Sequence, residues 1–320
     1  MIKSGRVRLL VAAAAVVTAA ALTACSSDNN GSNAGSGNKE LAGDILVDGS
    51  STVGPLTKAA ASLYAEEQPK VNATVGISGT GGGFKKFCNG EIDISDASRP
   101  IKDEEKTACT GKSISYTELI VANDALTVAV NKDVDFTDCL TVAQLKKIWE
   151  PGSKVNNWNQ VDAKFPSKPL KLFGAGTDSG TFDYFTEVIN GKAKASRTDY
   201  SPSEDDNILV QGVAGTSGAM GYFGFTYFEE NTEKLKALQV DGGAGCVGPS
   251  IETAQNNTYK PLSRPLFIYI SKAASGKEHV RDFVDFYIEN IDEVVKAAKF
   301  VPLTAAQKTT LKSEFEAFKA

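Results

Sequence analysis

Three short loops rich in glycine, serine and threonine constrain this chain most strongly. They lie at residues 49–55, 78–83 and 174–181, and each follows an apolar run and precedes a helix-like segment. In a sheet with parallel strands, such loops gather at the carboxyl edge, where helix N-termini present unpaired N–H groups. Glycine lets the backbone approach a ligand closely. The repetition therefore predicts an open α/β sheet whose loops converge on one small oxyanion.

Each signal has a simpler interpretation when it is taken alone. The Ser-Gly-Thr at residues 179–181 stands before a helix, where serine is a common N-cap. Arg99 precedes Pro100, which favours an extended backbone and predicts an arginine that points into a cleft. The alternative is an arginine at the surface, paired with a carboxylate among residues 103–105.

The start of the chain predicts export and lipid anchoring. A basic segment precedes apolar residues 9–22 and a small-residue cleavage site that ends in Cys25, the pattern of a signal peptide. The ending resembles the bacterial lipobox, so we predict cleavage after residues 1–24 and a lipid on Cys25. A plain secretory signal is the alternative. Residues 25–40 are small and polar and predict a flexible tether, which leaves the protein outside the cytoplasm, anchored to the cell membrane.

The charge of the chain argues against a nucleic-acid partner. The net charge is −5, and removing residues 1–24 takes away Lys3, Arg6 and Arg8, which leaves −8. An acidic protein does not attract anions through its overall field. Any anion site must therefore act locally, through backbone dipoles and a buried cation.

Four cysteines remain once Cys25 carries a lipid: Cys88, Cys109, Cys139 and Cys246. An even number in an exported protein predicts two disulfides. Three pairings are possible. Metal ligation is the alternative, but the chain has no Cys-x-x-Cys spacing and a single histidine, so we expect no metal.

The remaining pattern indicates further strands and helices. Residues 115–130 predict two short strands around a polar pair at residues 123–124, and residues 265–270 predict a buried strand. Apolar residues at helical spacing predict a helix over residues 279–298 and a final helix from Ala305.

The combination of motifs resembles the phosphate-binding lipoproteins of bacterial phosphate ABC transporters, members of the periplasmic-binding-protein superfamily. The most specific pieces are residues 48–53, 79–87, 93–101 and 177–182, and the similarity runs through nearly all of the predicted mature chain. It implies an α/β fold of the two-lobed periplasmic-binding-protein type (type II), with a ligand cleft between lobes joined by crossover strands.

The resemblance also implies where the lobes lie. Lobe one would contain residues 41–122 and 264–320, and lobe two residues 123–263. The crossings would lie near residues 119–130 and 262–270.

These lobes favour one disulfide pairing. Each bond stays within one proposed lobe if the pairs are Cys88–Cys109 and Cys139–Cys246.

Matching motif to motif implies a phosphate site made by both lobes. The implied ligands are hydroxyl and amide groups of Thr52, Val53, Thr80, Ser179, Gly180 and Thr181.

Both charges of the familiar site are missing from their usual positions. Those relatives carry an arginine four residues before the Ser-Gly-Thr and an aspartate in the aligned strand, where this chain has Ala175 and Ser98. Our hypothesis is an exchange of sides, with Arg99 as the cation and Asp178 as the carboxylate, and with Ser98 as a further phosphate ligand beside Arg99. Arginine gives charge-assisted donors to phosphate oxygens. A buried carboxylate accepts the proton that phosphate carries and repels sulfate, which has none.

The sequence therefore predicts a monomeric receptor that delivers inorganic phosphate to the permease subunits of an ABC transporter, without cofactor or catalysis. One alternative is a receptor for another tetrahedral oxyanion, sulfate or molybdate. A less favoured alternative is a secreted phosphatase. The lone His279 has no serine or carboxylate motif near it, and we find no His/Asp cluster for catalytic metals.

Overall fold

The structure is a computed structural model that describes residues 40–177 and 179–319. The predicted signal peptide, the predicted lipid site at Cys25, residues 25–39 of the predicted tether and Asp178 lie outside the described residues. Within the described ranges, no helix has both the length and the apolar character needed to span a bilayer.

The strands follow the apolar runs of the sequence, and three of them end directly before a glycine-rich loop. In chain order the strands are β1 (Gly43–Gly49), β2 (Val71–Val75), β3 (Ile94–Ala97), β4 (Tyr116–Asn131), β5 (Cys139–Thr141), β6 (Lys171–Ala175), β7 (Ser201–Ser203), β8 (Ala219–Gly224), β9 (Leu235–Ala237), β10 (Gln239–Asp241), β11 (Cys246–Val247) and β12 (Ser263–Ser271).

The helices alternate with these strands through most of the chain. They are α1 (Gly54–Glu67), α2 (Thr80–Cys88), α3 (Asp103–Gly111), α4 (Val142–Trp149), α5 (Trp158–Val161), α6 (Gly180–Asn190), α7 (Asp206–Gly215), α8 (Phe225–Glu229), α9 (Ile251–Gln255), α10 (Lys272–Ser275), α11 (Glu278–Glu289), α12 (Ile291–Ala297) and α13 (Ala305–Lys319). The final helix begins at Ala305 as predicted. The helix predicted over residues 279–298 is instead two helices, separated at Asn290.

The main sheet places the glycine-rich loops at the carboxyl ends of parallel strands. Its order is β2-β1-β3-β12-β4-β8-β6-β7, with β9 beside β4, and a small sheet has the order β11-β10-β5. β1 pairs in parallel with β2 and β3, and β6 pairs in parallel with β7 and β8. The α/β class expected from the sequence is confirmed.

The two short strands expected at residues 115–130 are one strand of 16 residues, β4. β4 pairs antiparallel with β12 over its first half and with β8 over its second. The polar pair in its middle does not break the strand because both residues find partners. The backbone of Asn123 exchanges two hydrogen bonds with Val301, each of 3.0 Å, and Asp124 pairs with Arg264 on β12.

Buried apolar side chains gather in two large clusters. One draws on residues 41–122 and 266–315, and the other on residues 125–262 together with Val301. Full burial of one such side chain contributes about 1.5–3 kcal/mol. β4 supplies residues to both clusters, and β12 supplies residues to the first and begins directly after Leu262 of the second, so these two strands carry the chain from one core to the other.

Two disulfides cross-link the chain. Cys88, at the end of α2, is bonded to Cys109 in α3, and Cys139 in β5 is bonded to Cys246 in β11. This is the pairing that the sequence analysis favours. Each bond restricts the unfolded chain and so stabilises the folded state.

Candidate anion-binding site

The first loop carries the chain from β1 into α1. Gly49 has φ +144°, and a Cβ there would lie 2.1 Å from the carbonyl oxygen of Asp96, so the close approach to β3 requires glycine. The Ser50 hydroxyl accepts hydrogen bonds from the amides of Thr52 (3.2 Å) and Val53 (3.4 Å). Val53 is fully buried and Thr52 is 7% exposed. The loop therefore holds the N-terminus of α1 at the carboxyl end of β1.

The second loop is tied to the first by an aspartate and by the backbone. Gly79 donates from its amide to the Gly49 carbonyl at 2.8 Å. Asp48 accepts a hydrogen bond from the Ser78 amide at 2.8 Å and another from the Lys86 ammonium. Burial raises the pKa of the Asp48 carboxyl, but these bonds outweigh burial and hold the pKa below its usual value. The two loops thus keep a fixed relation to each other.

Thr80 and Ser98 meet on one wall of a cleft. Their hydroxyl oxygens are 3.1 Å apart, and the Ser98 amide donates to the Thr80 hydroxyl at 3.2 Å. Thr80 is the first residue of α2, and Ser98 follows β3. Two hydroxyls predicted as ligands are therefore adjacent in the structure.

The third loop faces the first one. Ser179 is the N-cap of α6, and its hydroxyl accepts a hydrogen bond from the Thr181 amide at 3.1 Å, so the N-cap interpretation of this motif is confirmed. Next to it, a Cβ on Gly180 would lie 2.5 Å from the Thr52 hydroxyl oxygen. The N-termini of α1 and α6 therefore approach each other as closely as glycine allows, and their partial positive charges lie together.

The guanidinium of Arg264 is a cation that contacts both the first loop, at Thr52, and the wall of the cleft, at Ser98. Its Nη2 donates to the Thr52 hydroxyl at 3.0 Å and its Nη1 to the Ser98 carbonyl at 3.2 Å. Its Nε donates to Asp124 at 3.2 Å. The side chains of Arg264 and Asp124 are 12% and 5% exposed, so the two residues form a buried ion pair. The guanidinium of this pair also faces the loops.

Strand register brings Arg264 and Asp124 together. β4 and β12 run antiparallel, and these two residues are direct cross-strand partners. Burial raises the pKa of the Asp124 carboxyl, and the pKa stays above its usual value although Arg264 lowers it. The pair thus places a cation and a carboxyl group where the chain passes between its two cores.

The cleft formed by these groups has a volume of about 500 Å³. It is lined by the predicted residues Thr52, Thr80, Ser98, Arg99 and Gly180, together with Arg264. Thr181 instead lines a neighbouring cavity of about 190 Å³, which Asp124 also lines. The arrangement suits a small anion, since hydroxyls, helix N-termini and a guanidinium converge at one place.

Arg99 lines the cleft but has a partner of its own. Its two Nη atoms each donate to one carboxylate oxygen of Glu105 at 2.8 Å. The structure therefore shows the alternative that the sequence left open, an arginine paired with a nearby carboxylate. The hydrogen bonds that Arg99 donates to Glu105 raise the pKa of Arg99. The carboxylate predicted opposite it, Asp178, lies outside the described residues.

Sequence reasoning missed Arg264 and Asp124. Each is a charged residue inside an otherwise apolar strand, and such residues are rarely buried unless they are paired. That signal was present in the sequence. What was missing was the register of β4 against β12, which makes the two residues partners.

Comparisons with known proteins place this fold and cleft in a class. A family model described as a PBP superfamily domain matches residues 28–290. The chain is 51% identical over 278 residues to protein SphX of Synechococcus elongatus, which covers 86% of this chain and 82% of SphX. It is 40% identical over 290 residues to phosphate-binding protein PstS of Staphylococcus saprophyticus, which covers 89% of this chain and 88% of PstS.

A solved structure agrees with these sequence matches. The crystal structure of "a possible phosphate binding protein" from Planctomyces limnophilus superposes with a TM-score of 0.84 and 48% identity, and the match covers 87% of this chain and 99% of that one. The chain therefore belongs to the PBP superfamily and, within it, to the family of the SphX and PstS proteins.

Proposed function

We propose that this protein binds inorganic phosphate in the cleft and delivers it to the permease of an ABC transporter for import. The observation that carries the proposal is the buried guanidinium of Arg264, which contacts Thr52 and the Ser98 carbonyl beside the N-terminus of α6. The name of the PstS relative supports phosphate as the anion. Catalysis is no part of the proposal.

The charges of the proposed site come from the crossover strands. Arg264 gives charge-assisted donors to phosphate oxygens, and Asp124 accepts or shares the proton that phosphate carries near neutral pH. Sulfate has no such proton and would face the like charge of the Asp124 carboxylate without a hydrogen bond between them, which costs several kcal/mol in a buried site. The sequence assigned these roles to Arg99 and Asp178. We assign the role of the cation to Arg264 rather than to Arg99, because the Glu105 carboxylate already pairs with Arg99 through two hydrogen bonds.

The neutral donors of the proposed site remain those predicted from the sequence. Hydroxyls and helix N-terminal amides would surround the anion, and they belong to Thr52, Val53, Thr80, Ser98, Ser179, Gly180 and Thr181. The role predicted for Asp178 stays a prediction.

The proposed mechanism is closure of two lobes on the anion. Lobe one is residues 41–122 and 264–320, lobe two is residues 123–263, and β4 and β12 form the hinge. The separate apolar cores on the two sides of these strands support the division. Closure places the anion among fixed dipoles and excludes water, and opening releases it to the permease. We further propose that the protein is a monomer held at the membrane by a lipid on Cys25.

Equilibrium dialysis with labelled phosphate tests the proposal. We expect one phosphate per chain, displaced by unlabelled phosphate and retained in excess sulfate or molybdate. Displacement by sulfate or molybdate at equal concentration would assign the site to another oxyanion. Absence of bound phosphate after denaturation and refolding to strip endogenous ligand would reject phosphate transport.

A further inference from the structure

We propose that Tyr184 is a positioning residue for the anion site, which holds the guanidinium of Arg264 so that its remaining N–H groups face the cleft. The inference rests on the proposed function, since it assigns a role within the same site. It concerns a residue that neither the motifs nor the hydrogen bonds of the loops indicate.

The ring of Tyr184 covers one face of the guanidinium. The Arg264 Cζ lies 3.4 Å from the centroid of the ring, which is face-to-face contact of a cation with an aromatic ring. Tyr184 is 5% exposed and lines the cleft. All N–H groups of a guanidinium lie in its plane, so its hydrogen bonds form at its edge and not at the face that the ring covers.

The guanidinium of Arg264 has N–H donors left at its edge to bind a ligand. Arginine has five side-chain N–H donors. Within the described residues, three hydrogen bonds leave Arg264, to Asp124, the Thr52 hydroxyl and the Ser98 carbonyl. The other donors lie in the same plane as these bonds, and Arg264 lines the cleft. A fixed plane therefore fixes the direction in which an anion is bound.

Tyr184 is itself fixed relative to the strand that carries Arg264. Its hydroxyl donates to the carbonyl of Pro261 at 2.6 Å, three residues before Arg264. Tyr184 and Pro261 both belong to residues 123–263, so this bond does not depend on contact across the cleft. The guanidinium is thus oriented before an anion arrives, which avoids the entropy cost of ordering a long side chain on binding.

A set of variants separates this role from general packing. Tyr184→Leu removes the ring, and Tyr184→Phe keeps the ring and loses the bond to Pro261. Phe185→Leu is the matched control, since Phe185 is a fully buried aromatic on the same helix that stacks on Tyr222 at 3.8 Å rather than on Arg264. Arg264→Gln removes the cation.

The first measurement needs no ligand. In a 1H–15N spectrum of the arginine Nε–H groups, the signal absent from Arg264→Gln belongs to Arg264. We expect a ring-current shift of this signal in the wild type, in Tyr184→Phe and in Phe185→Leu, and its loss in Tyr184→Leu. An unchanged signal in Tyr184→Leu would overturn the inference.

The second measurement is the dissociation constant for phosphate. Because a desolvated cation–ring contact is of the order of a tenfold effect, we expect about tenfold weaker binding for Tyr184→Leu. We expect a change of less than about threefold for Tyr184→Phe and Phe185→Leu. In the Arg264→Gln background, Tyr184→Leu should cause no further loss.

The two measurements distinguish an error in the role of Tyr184 from an error in the proposed function. Equal losses for Tyr184→Leu and Phe185→Leu, or fully additive effects with Arg264→Gln, would reduce Tyr184 to a packing residue and overturn the inference. A wild type that binds no phosphate would reject the proposed function, and the arginine signal would still decide whether Tyr184 orients Arg264.

Discussion

The two arginines of the cleft differ in what holds them. Arg99 gives both Nη atoms to one carboxylate, that of Glu105, and forms a locally neutral pair. Arg264 gives one bond to Asp124 and two to neutral oxygens. A guanidinium that gives only one of its hydrogen bonds to a carboxylate keeps more of its positive charge for a second anion. At the scale of single residues, the account therefore depends on Arg264.

Substitution of the two arginines tests this difference. We expect Arg264→Gln to weaken phosphate binding by about 100-fold or more, because a buried charge that meets an anion contributes 2–5 kcal/mol. Arg99→Gln is the matched control, with an expected change of less than about threefold. Titration calorimetry measures both. A larger loss for Arg99→Gln than for Arg264→Gln would restore the hypothesis that Arg99 supplies the cation.

Asp124 determines the choice between phosphate and sulfate in this account. Asp124→Asn replaces the buried carboxyl with an amide that can donate to sulfate. We expect the ratio of phosphate to sulfate affinity to fall by at least about tenfold, since one buried like-charge contact is removed. Competition between the two anions measures it. Asp183→Asn, which changes a carboxyl that lines the cleft itself, should leave the ratio unchanged, and equal effects of the two variants would contradict the assignment.

The sequence predicts part of this site, for a definite physical reason. Glycine-rich loops after apolar strands are local patterns, and the structure places Thr52, Thr80 and Gly180 on one cleft as expected. The partners of a charged side chain are set by tertiary contacts. Glu105 for Arg99 was one of several local candidates, whereas Asp124 for Arg264 depends on a strand register that spans 140 residues.

At the scale of elements, two helix N-termini meet across the cleft. α1 begins after Thr52 and Val53, and α6 begins at Gly180, whose missing side chain permits the contact. Helix N-termini carry partial positive charge, so bringing two together is favourable only with an anion between or beside them. We therefore expect this contact to link anion binding to the proposed closure.

Gly180→Ala tests this link. The added Cβ would lie 2.5 Å from the Thr52 hydroxyl oxygen, so it should oppose closure and weaken phosphate binding by about tenfold or more, as overpacking of 1–3 kcal/mol does. Gly215→Ala in α7 is the control, because a Cβ there meets no atom within 4 Å. Calorimetry gives the affinity, and X-ray scattering gives the compaction on binding. Wild-type affinity in Gly180→Ala would show that the two N-termini need not meet.

A buried carboxyl between α1 and β3 makes stability depend on pH. Thr57 donates to one oxygen of Asp96 at 2.8 Å, and the other oxygen, Oδ2, has no hydrogen-bond partner within the described residues. The pKa of Asp96 is raised to about 8, mainly by burial and also by the charge of Asp48, while Thr57 and Lys58 act to lower it. The folded state therefore keeps a proton that the unfolded chain releases above about pH 4.

The sign of the effect follows from proton linkage. Because the folded state binds more protons, the free energy of unfolding should fall as pH rises from about 4 to about 8, with a slope of at most about 1.4 kcal/mol per pH unit. Asp96→Asn should flatten this slope. Urea unfolding across the pH range measures it, with Asp103→Asn as the control, since the Asp103 side chain is 97% exposed. An identical slope in wild type and Asp96→Asn would contradict the raised pKa.

Elements were predicted best where their signals are local. The strand, loop and helix sequence around each glycine-rich loop matches the structure, and α13 begins at the expected residue. β4 was predicted as two strands because its polar pair resembles a turn. In the fold, Val301 and Arg264 satisfy that pair, and those partners come from far along the chain.

At the scale of the whole molecule, an acidic chain binds an anion through local fields. The predicted mature chain has a net charge of −8 by the sequence count, so long-range attraction cannot concentrate phosphate at the cleft. In our proposal, the buried guanidinium and the two helix N-termini provide the attraction at short range instead. We also propose that the two cores joined by β4 and β12 let the halves of the site separate and meet.

A crystal structure of the protein with bound phosphate decides whether Arg264 is the cation of the site. The account predicts one phosphate in the cleft, with oxygens about 3 Å from the Arg264 guanidinium and from the amides at the N-terminus of α6, as in ordinary hydrogen bonds. Asp124 should lie next to the same anion. A phosphate held by Arg99 and remote from Arg264, or bound outside the cleft, would contradict the account.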